Sequence, residues 1–205
     1  MSDPRDKNER FDAGSIGAFL NGYRRRLSEA LEGVDTAALA RAAAAIEAAA
    51  VAGAHVYAIG NGGSAAIADH LCCDWTKGTD CEGHKPIATT SLAANMPLYS
   101  AIANDIEFAE VFSRQLDFFG KAGDVLIAVS SSGDSENIVR AASRAKDLGI
   151  TVIGLTGFAG GKLREAADIA LHVPVSNYGV VEDAHQALIH VIAQFITARR
   201  QGQGA

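Results

Sequence analysis

Cysteine is scarce and poorly placed for cross-linking. The 205-residue chain has three, Cys72, Cys73 and Cys81. An odd number, two of them adjacent, with no C-x-x-C pair, excludes a disulfide framework and a zinc ribbon. Long apolar runs are missing too: none approaches the ~20 residues that cross a bilayer, so a membrane-spanning chain is excluded. Basic charge is short, with 18 Lys+Arg against 24 Asp+Glu and a formal net charge of -6. No nucleic-acid footprint is therefore expected, while a local pocket for a phosphate stays open. Aromatics are only 6%, yet the hydrophobic fraction is 48% and much of it is alanine, so the low hydrophobicity of a disordered chain is absent. A chain of this length buries about 70% of the surface its extended form exposes and needs no disulfide staples. The first ten residues, MSDPRDKNER, lack the apolar centre of a secretion signal, which makes the cytoplasm the expected compartment.

What is present reads as alternating strands and helices. Residues 1–12 are polar and expected to fray. Ile16, Phe19, Leu20, Tyr23, Leu27 and Leu31 recur at three- and four-residue spacing, which predicts an amphipathic helix over 14–31. An alanine-rich helix follows over 35–52, with Asp35 or Thr36 as its N-cap. From residue 53 the texture changes. Apolar runs at 55–60, 86–92, 124–130, 151–157 and 168–175 alternate with helical patterns, the last over 180–199. Runs without polar alternation suit strands buried on both faces. The pattern predicts an α/β fold with a doubly wound parallel sheet over 53–200, preceded by a helical extension over 1–52.

Two strand ends flow into helices through small polar residues: Gly60-Asn61-Gly62-Gly63-Ser64, and Ser130-Ser131-Ser132-Gly133-Asp134-Ser135. Free N–H groups and the positive dipole end at a helix start favour an anion, and hydroxyls add donors without Lys or Arg. Such residues are also ordinary turns and caps. Two such loops on the carboxyl edge of one sheet are more telling, because ligands of open α/β sheets bind there. A third loop, Thr156–Gly161, carries a weaker version of the signal. Gly60-x-Gly62-x-x-Ala65 fits the dinucleotide fingerprint formally, but no acidic residue ends the next strand to hold a ribose. The P-loop pattern does not occur. No nucleotide cofactor is expected.

His70 and Asp74 lie four apart on the helix opened by the glycine loop. An imidazole and a carboxylate so spaced hold one divalent metal, pair as acid and base, or form a surface ion pair. The last helix carries Glu182, Asp183, His185 and His190. Glu182 and His190 are separated by a rise of about 12 Å and meet at one metal only by leaning together, with His185 as the alternative ligand.

Taken together, GNGGSAAIADH (60–70), AIANDIEFAEVFSRQL (101–116), GDVLIAVSSSGDSENIV (123–139), VIGLTGFAGGKL (152–163) and VEDAHQALIHV (181–191) resemble the SIS (sugar isomerase) domain family, closest to its phosphoheptose isomerase branch. The resemblance implies a five-stranded parallel sheet and a cytoplasmic homotetramer with active sites between subunits. It implies isomerisation of sedoheptulose 7-phosphate in heptose biosynthesis; the alternative is a non-catalytic phosphosugar-binding or replication-initiator-binding protein. By this resemblance Asn61, Gly62 and Gly63, with Ser64 beside them, line the substrate site together with Asn104, Asp105, Ser130, Ser131, Ser132 and Ser135. His70, Asp74, Glu182 and His190 hold Zn²⁺ or another divalent metal. Asp74, Glu182 and His190 carry the proton transfers, and Glu182 also touches substrate. Two positions depart from the pattern: Asp74 stands where the family has Glu, and Glu182 where it has Gln. Asp is one methylene shorter, and a base misplaced by about 1 Å costs on the order of 100-fold.

Overall fold

Each apolar run forms one strand. They are β1 (Val56–Ile59), β2 (Thr89–Ser91), β3 (Val125–Ser130), β4 (Thr151–Thr156) and β5 (Ile169–His172). All pair in parallel, in the order β2-β1-β3-β4-β5. The helices are α1 (Ile16–Glu32), α2 (Thr36–Ala52), α3 (Gly63–Cys73), α4 (Met96–Asp105), α5 (Ser113–Phe119), α6 (Glu136–Asp147), α7 (Gly161–Ala166) and α8 (Tyr178–Arg200). The computed structural model describes residues 8–202. Among these, no helix is long and apolar enough to cross a membrane.

Alternate residues of the strands feed two cores. Val56, Ala58, Ile127, Val129 and Leu155 pack with α2, α3 and α8, while Tyr57, Ile59, Leu126, Ala128 and Val152 pack with α4, α5, α6 and α7. Both faces are covered, which is why the strand sequences carry no polar alternation. The alanines of α2 that enter the first core, Ala38, Ala42, Ala43, Ala49 and Ala50, have side chains short enough to let this helix lie close against the sheet. Asp35 caps α2, its carboxylate accepting from the Ala37 and Ala38 N–H groups at 2.9 and 3.1 Å.

Three local expectations are corrected. The part of the polar N-terminus that is described, residues 8–12, is not frayed: it straps the start of α8. The Tyr178 N–H donates to Asn8 Oδ1 at 3.0 Å and the Asn177 amide donates to the Glu9 carbonyl at 2.9 Å. Residues 1–7 of that stretch lie outside the described residues. The single helix expected over 107–119 divides into a 3₁₀ turn (Phe108–Glu110) and α5. The break lets Val111 and Phe112, both fully buried, turn into the second core. The helix expected over 64–76 gives way at Asp74–Gly78 to a π-helical turn. That wider turn is anchored by Trp75, which is 1% exposed and donates its indole N–H to the Ile189 carbonyl at 3.0 Å. Truncating a tryptophan so buried costs about 3–5 kcal/mol.

In the order β2-β1-β3-β4-β5 the chain reverses direction across the sheet between β1 and β3. The crevice outside the carboxyl ends of these two strands is where this topology binds ligands. The glycine loop leaves β1 there, and the serine loop leaves β3.

Candidate active site

Both loops face one cleft, lined by Asn61, Ser64, Val129, Ser130, Ser131, Ser132, Ser135, Tyr178 and Glu182. The loops are tied together by a reciprocal amide pair, in which Asn61 and Asn137 each donate to the other at 2.9 Å. The Ser130 hydroxyl accepts from the Gly133 N–H at 3.1 Å and the Ser132 hydroxyl accepts from the Asp134 N–H at 3.3 Å. Ser135 occupies the N-cap of α6 but its side chain makes no cap hydrogen bond. The Ser131 hydroxyl is buried and has no partner among the described residues. A buried donor without a partner costs about 1–3 kcal/mol, so this cup is arranged for a group with acceptor oxygens to fill it. The free N–H groups of α6 favour that group being an anion.

The third loop, weak as a sequence signal, has a structural role. Its Gly157 N–H donates to the Ser131 carbonyl at 2.9 Å, and in the first turn of α7 that follows, the Leu163 N–H donates to the Gly133 carbonyl at 2.9 Å and the Lys162 N–H to Asp134 Oδ1 at 3.0 Å, so the segment braces the serine loop. Gly133 has φ +72°, and a Cβ there would run into the Gly160 carbonyl. Gly133→Ala is expected to destabilise the protein by about 2–4 kcal/mol through left-handed strain and overpacking. Urea unfolding measures this; a variant as stable as wild type would mean that the loop yields freely.

Glu182 reaches the same cleft from α8. A Cβ on residue 63 would lie 2.6 Å from its carboxylate, so the glycine is what lets Glu182 occupy this place. Burial, and then the neighbouring Asp183, raises its pKa above the ordinary carboxylate range. Asp183 itself accepts from the Tyr23 hydroxyl at 2.6 Å, which fixes α1 against this end of α8.

A second cluster lies farther along α3 and α8. His70 Nε2 and His190 Nε2 are 2.9 Å apart, and Asp74 Oδ2 is 3.1 Å from the first and 3.2 Å from the second. The three form a group able to hold a metal ion. Donors on a tetrahedral zinc at about 2.0–2.1 Å stand roughly 3.3 Å apart, so this set fits a divalent cation with little movement. Asp74 is placed by the π turn, and His190 by the Trp75 bond to the preceding carbonyl.

The expected residues are thus divided. His70, Asp74 and His190 come together, while Glu182, expected as a fourth ligand, is not in the group and faces the serine cup instead. Expected also to move protons, His190 sits two turns from Glu182 with Nε2 towards His70 and Asp74. Gly62, at the N-cap of α3, accepts the Ala65 N–H with its carbonyl at 3.0 Å. Asn104 and Asp105 do not line the cleft; they are exposed at the end of α4, the Asn104 amide donating to Asp105 at 2.8 Å. His185, the alternative ligand, is fully buried away from the cluster. Cys72 lies beside the cluster, and burial pushes its thiol up to about 11, which keeps it from acting as a thiolate. Sequence reasoning passed over Asn137, Tyr178 and Gln186. Only Gln186 had a readable signal, its place one turn before His190 on the same helix face.

The chain is similar to known proteins over most of its length. The SIS domain family matches residues 18–157. The phosphoheptose isomerase of Mycobacterium tuberculosis is 40% identical over 145 residues, 71% of this chain and 74% of that protein. That of Rhodospirillum rubrum is 38% identical over 159 residues, 78% of this chain and 84% of that protein. The solved structure of the phosphoheptose isomerase from Neisseria gonorrhoeae superposes with a TM-score of 0.82 at 32% identity, covering 89% of this chain and 97% of that one. With the same sheet and identity spread over most of the chain, this protein belongs to the phosphoheptose isomerase family of SIS-domain proteins.

Proposed function

We propose that the protein is an aldose–ketose isomerase converting sedoheptulose 7-phosphate to D-glycero-D-manno-heptose 7-phosphate, a step of heptose biosynthesis. The observation that carries the reading is the cleft in which an unpartnered buried serine hydroxyl, five further hydroxyls and the Glu182 carboxylate converge. Electrostatics orders the substrate in it. The anionic phosphate goes to Ser130, Ser131, Ser132 and Ser135 at the start of α6, because Glu182 repels it from the other wall. The uncharged sugar end is then left for Glu182.

Glu182 removes a proton from carbon 1 of the ketose while the carbonyl oxygen at carbon 2 takes up a proton, giving the enediol; Glu182 then returns a proton to carbon 2 as the oxygen at carbon 1 loses its own and becomes the aldehyde carbonyl. Among the carboxylates expected to act, Asp74 has one oxygen held between two imidazoles, whereas Glu182 faces the cleft, where burial raises its pKa and so strengthens it as a base. His70, Asp74 and His190 hold a divalent cation, Zn²⁺ by the chemistry of a two-imidazole, one-carboxylate set. Such a cation supplies Lewis-acid polarisation of a carbonyl oxygen. Asn61 and Asn137 keep the two loops in register, so the phosphate and the reacting carbons hold a constant separation. The redox change is internal to the sugar, so no nicotinamide is required.

A homotetramer with active sites between subunits accompanies this reading. Its support is the openness of the cation cluster on one chain, where the His70, Asp74 and His190 side chains are 48%, 30% and 40% exposed. Val191 and Phe195, on the same helix, are exposed as well. The test is conversion of sedoheptulose 7-phosphate in deuterium oxide. Aldose should form with deuterium at carbon 2, and recovered ketose should carry it at carbon 1. Binding of the sugar phosphate with neither conversion nor exchange would overturn the reading in favour of a phosphosugar-binding protein.

A further inference from the structure

The expected ligand set of His70, Asp74, Glu182 and His190 leaves a cation three ligands in this fold, because Glu182 stands two turns away along α8. Gln186 lies between them on the same face, one turn from each. Its side-chain amide is 3.0 Å from His190 Nε2, which itself contacts His70 Nε2 and Asp74 Oδ2. We propose that Gln186, through its side-chain carbonyl oxygen, is the fourth ligand of the metal centre, and that Glu182 is thereby released from the metal to serve the substrate.

The amide can serve as donor or as ligand. Its N–H₂ donates to the lone pair of His190 Nε2 at 3.0 Å. When that lone pair is given to a metal, a half-turn of the amide puts Oε1 in the place of Nε2, because the two atoms differ in role and hardly in size. An oxygen donor completes a mixed N/O set of the kind zinc accepts. Charge separates the two ligand sets. Two neutral imidazoles, one carboxylate and a neutral amide leave a net +1 on a divalent ion, whereas Glu182 in place of the amide would cancel it. A residual positive charge is what polarises a carbonyl oxygen. The two departures from the family pattern then read as one rearrangement: a shorter carboxylate at Asp74 and an amide one turn nearer His190 draw the centre along the helix, away from Glu182.

This inference rests on the isomerase reading for its purpose but is tested without turnover. Full-length protein stripped with a chelator is titrated with Zn²⁺ against a chromophoric competitor, and with Co²⁺ while its visible spectrum is recorded. Gln186→Leu should weaken Zn²⁺ binding by about 10- to 100-fold, the scale seen when a supporting group of a metal centre is lost, and should change the Co²⁺ spectrum. Gln186→Glu should keep the affinity of wild type or exceed it, which separates ligand loss from misfolding. Glu182→Gln should leave both readouts within about threefold of wild type. The opposite pattern, loss in Glu182→Gln and none in Gln186→Leu, overturns the proposal, and so does a wild-type protein that binds neither ion. Metal binding of the expected pattern with no isomerisation would sink the isomerase reading and leave this one standing.

Discussion

Glu182→Gln is expected to lower kcat by about 10²–10⁴-fold, the usual contribution of a positioned general base, with KM for the sugar phosphate little changed. The amide keeps the shape of the carboxylate over Gly63 and removes only its ability to accept a proton. Glu182→Asp should recover part of the rate yet fall short by on the order of 100-fold, because the shorter arm withdraws the base by about 1 Å. The pH profile carries a second signature. The base acts only when ionised, and burial together with Asp183 raises the Glu182 pKa. The acid limb of kcat/KM should therefore lie at higher pH than for an ordinary carboxylate, and it should vanish in Glu182→Gln. Rates within threefold of wild type in that variant would move the base elsewhere, with Asp74 the carboxylate remaining.

A loss of stability on mild acidification is the second large effect. His185 is fully buried and neither ring nitrogen finds a hydrogen-bond partner among the described residues. Burial pushes its pKa down to about 4, an effect that the nearby Thr156 backbone offsets in part and that His172 deepens. In the unfolded chain the group titrates near 6.5. Between these values the unfolded state binds the proton and the folded state does not, so stability falls as pH drops from about 6.5 to about 4. The full effect is on the order of 3 kcal/mol, with about 2 kcal/mol of it lost by pH 5. His55 and His172, whose pKa values burial also lowers, act in the same direction. Urea unfolding at pH 7 and pH 5 should give a smaller difference for His185→Leu than for wild type. Equal differences would show that His185 is not the group responsible.

Much of the architecture was readable from residue order. A strand buried on both faces of a parallel sheet must be apolar throughout, so runs such as DVLIAVS announced themselves without a partner in view. The serine loop was readable only together with the glycine loop: hydroxyls and a glycine before a helix are ordinary turn and cap residues singly, and two such loops at the carboxyl edge of one sheet mark a ligand site. The cap at Asp35 follows from local chemistry alone. Less readable was the strap formed by residues 8–12, whose polar composition says nothing of the Tyr178 and Asn177 groups waiting across more than 160 residues of chain. The π turn at Asp74–Gly78 is also tertiary in origin, since it exists to carry the Trp75 ring into the core and its N–H to Ile189.

Residue order alone dictates the parallel α/β sheet, the two loops at its carboxyl edge and the residue types available for phosphate, metal and proton transfer, because periodicity and helix-start chemistry act within a few residues. How those residues are shared out depends on the packing of the helices. Asp74 and His190 meet His70 because α3 packs on α8, Glu182 turns to the serine cup because Gly63 leaves room for it, and Gln186 inherits the place beside His190. Contacts between two helices depend on which turns face one another, and that register is a property of the packed core.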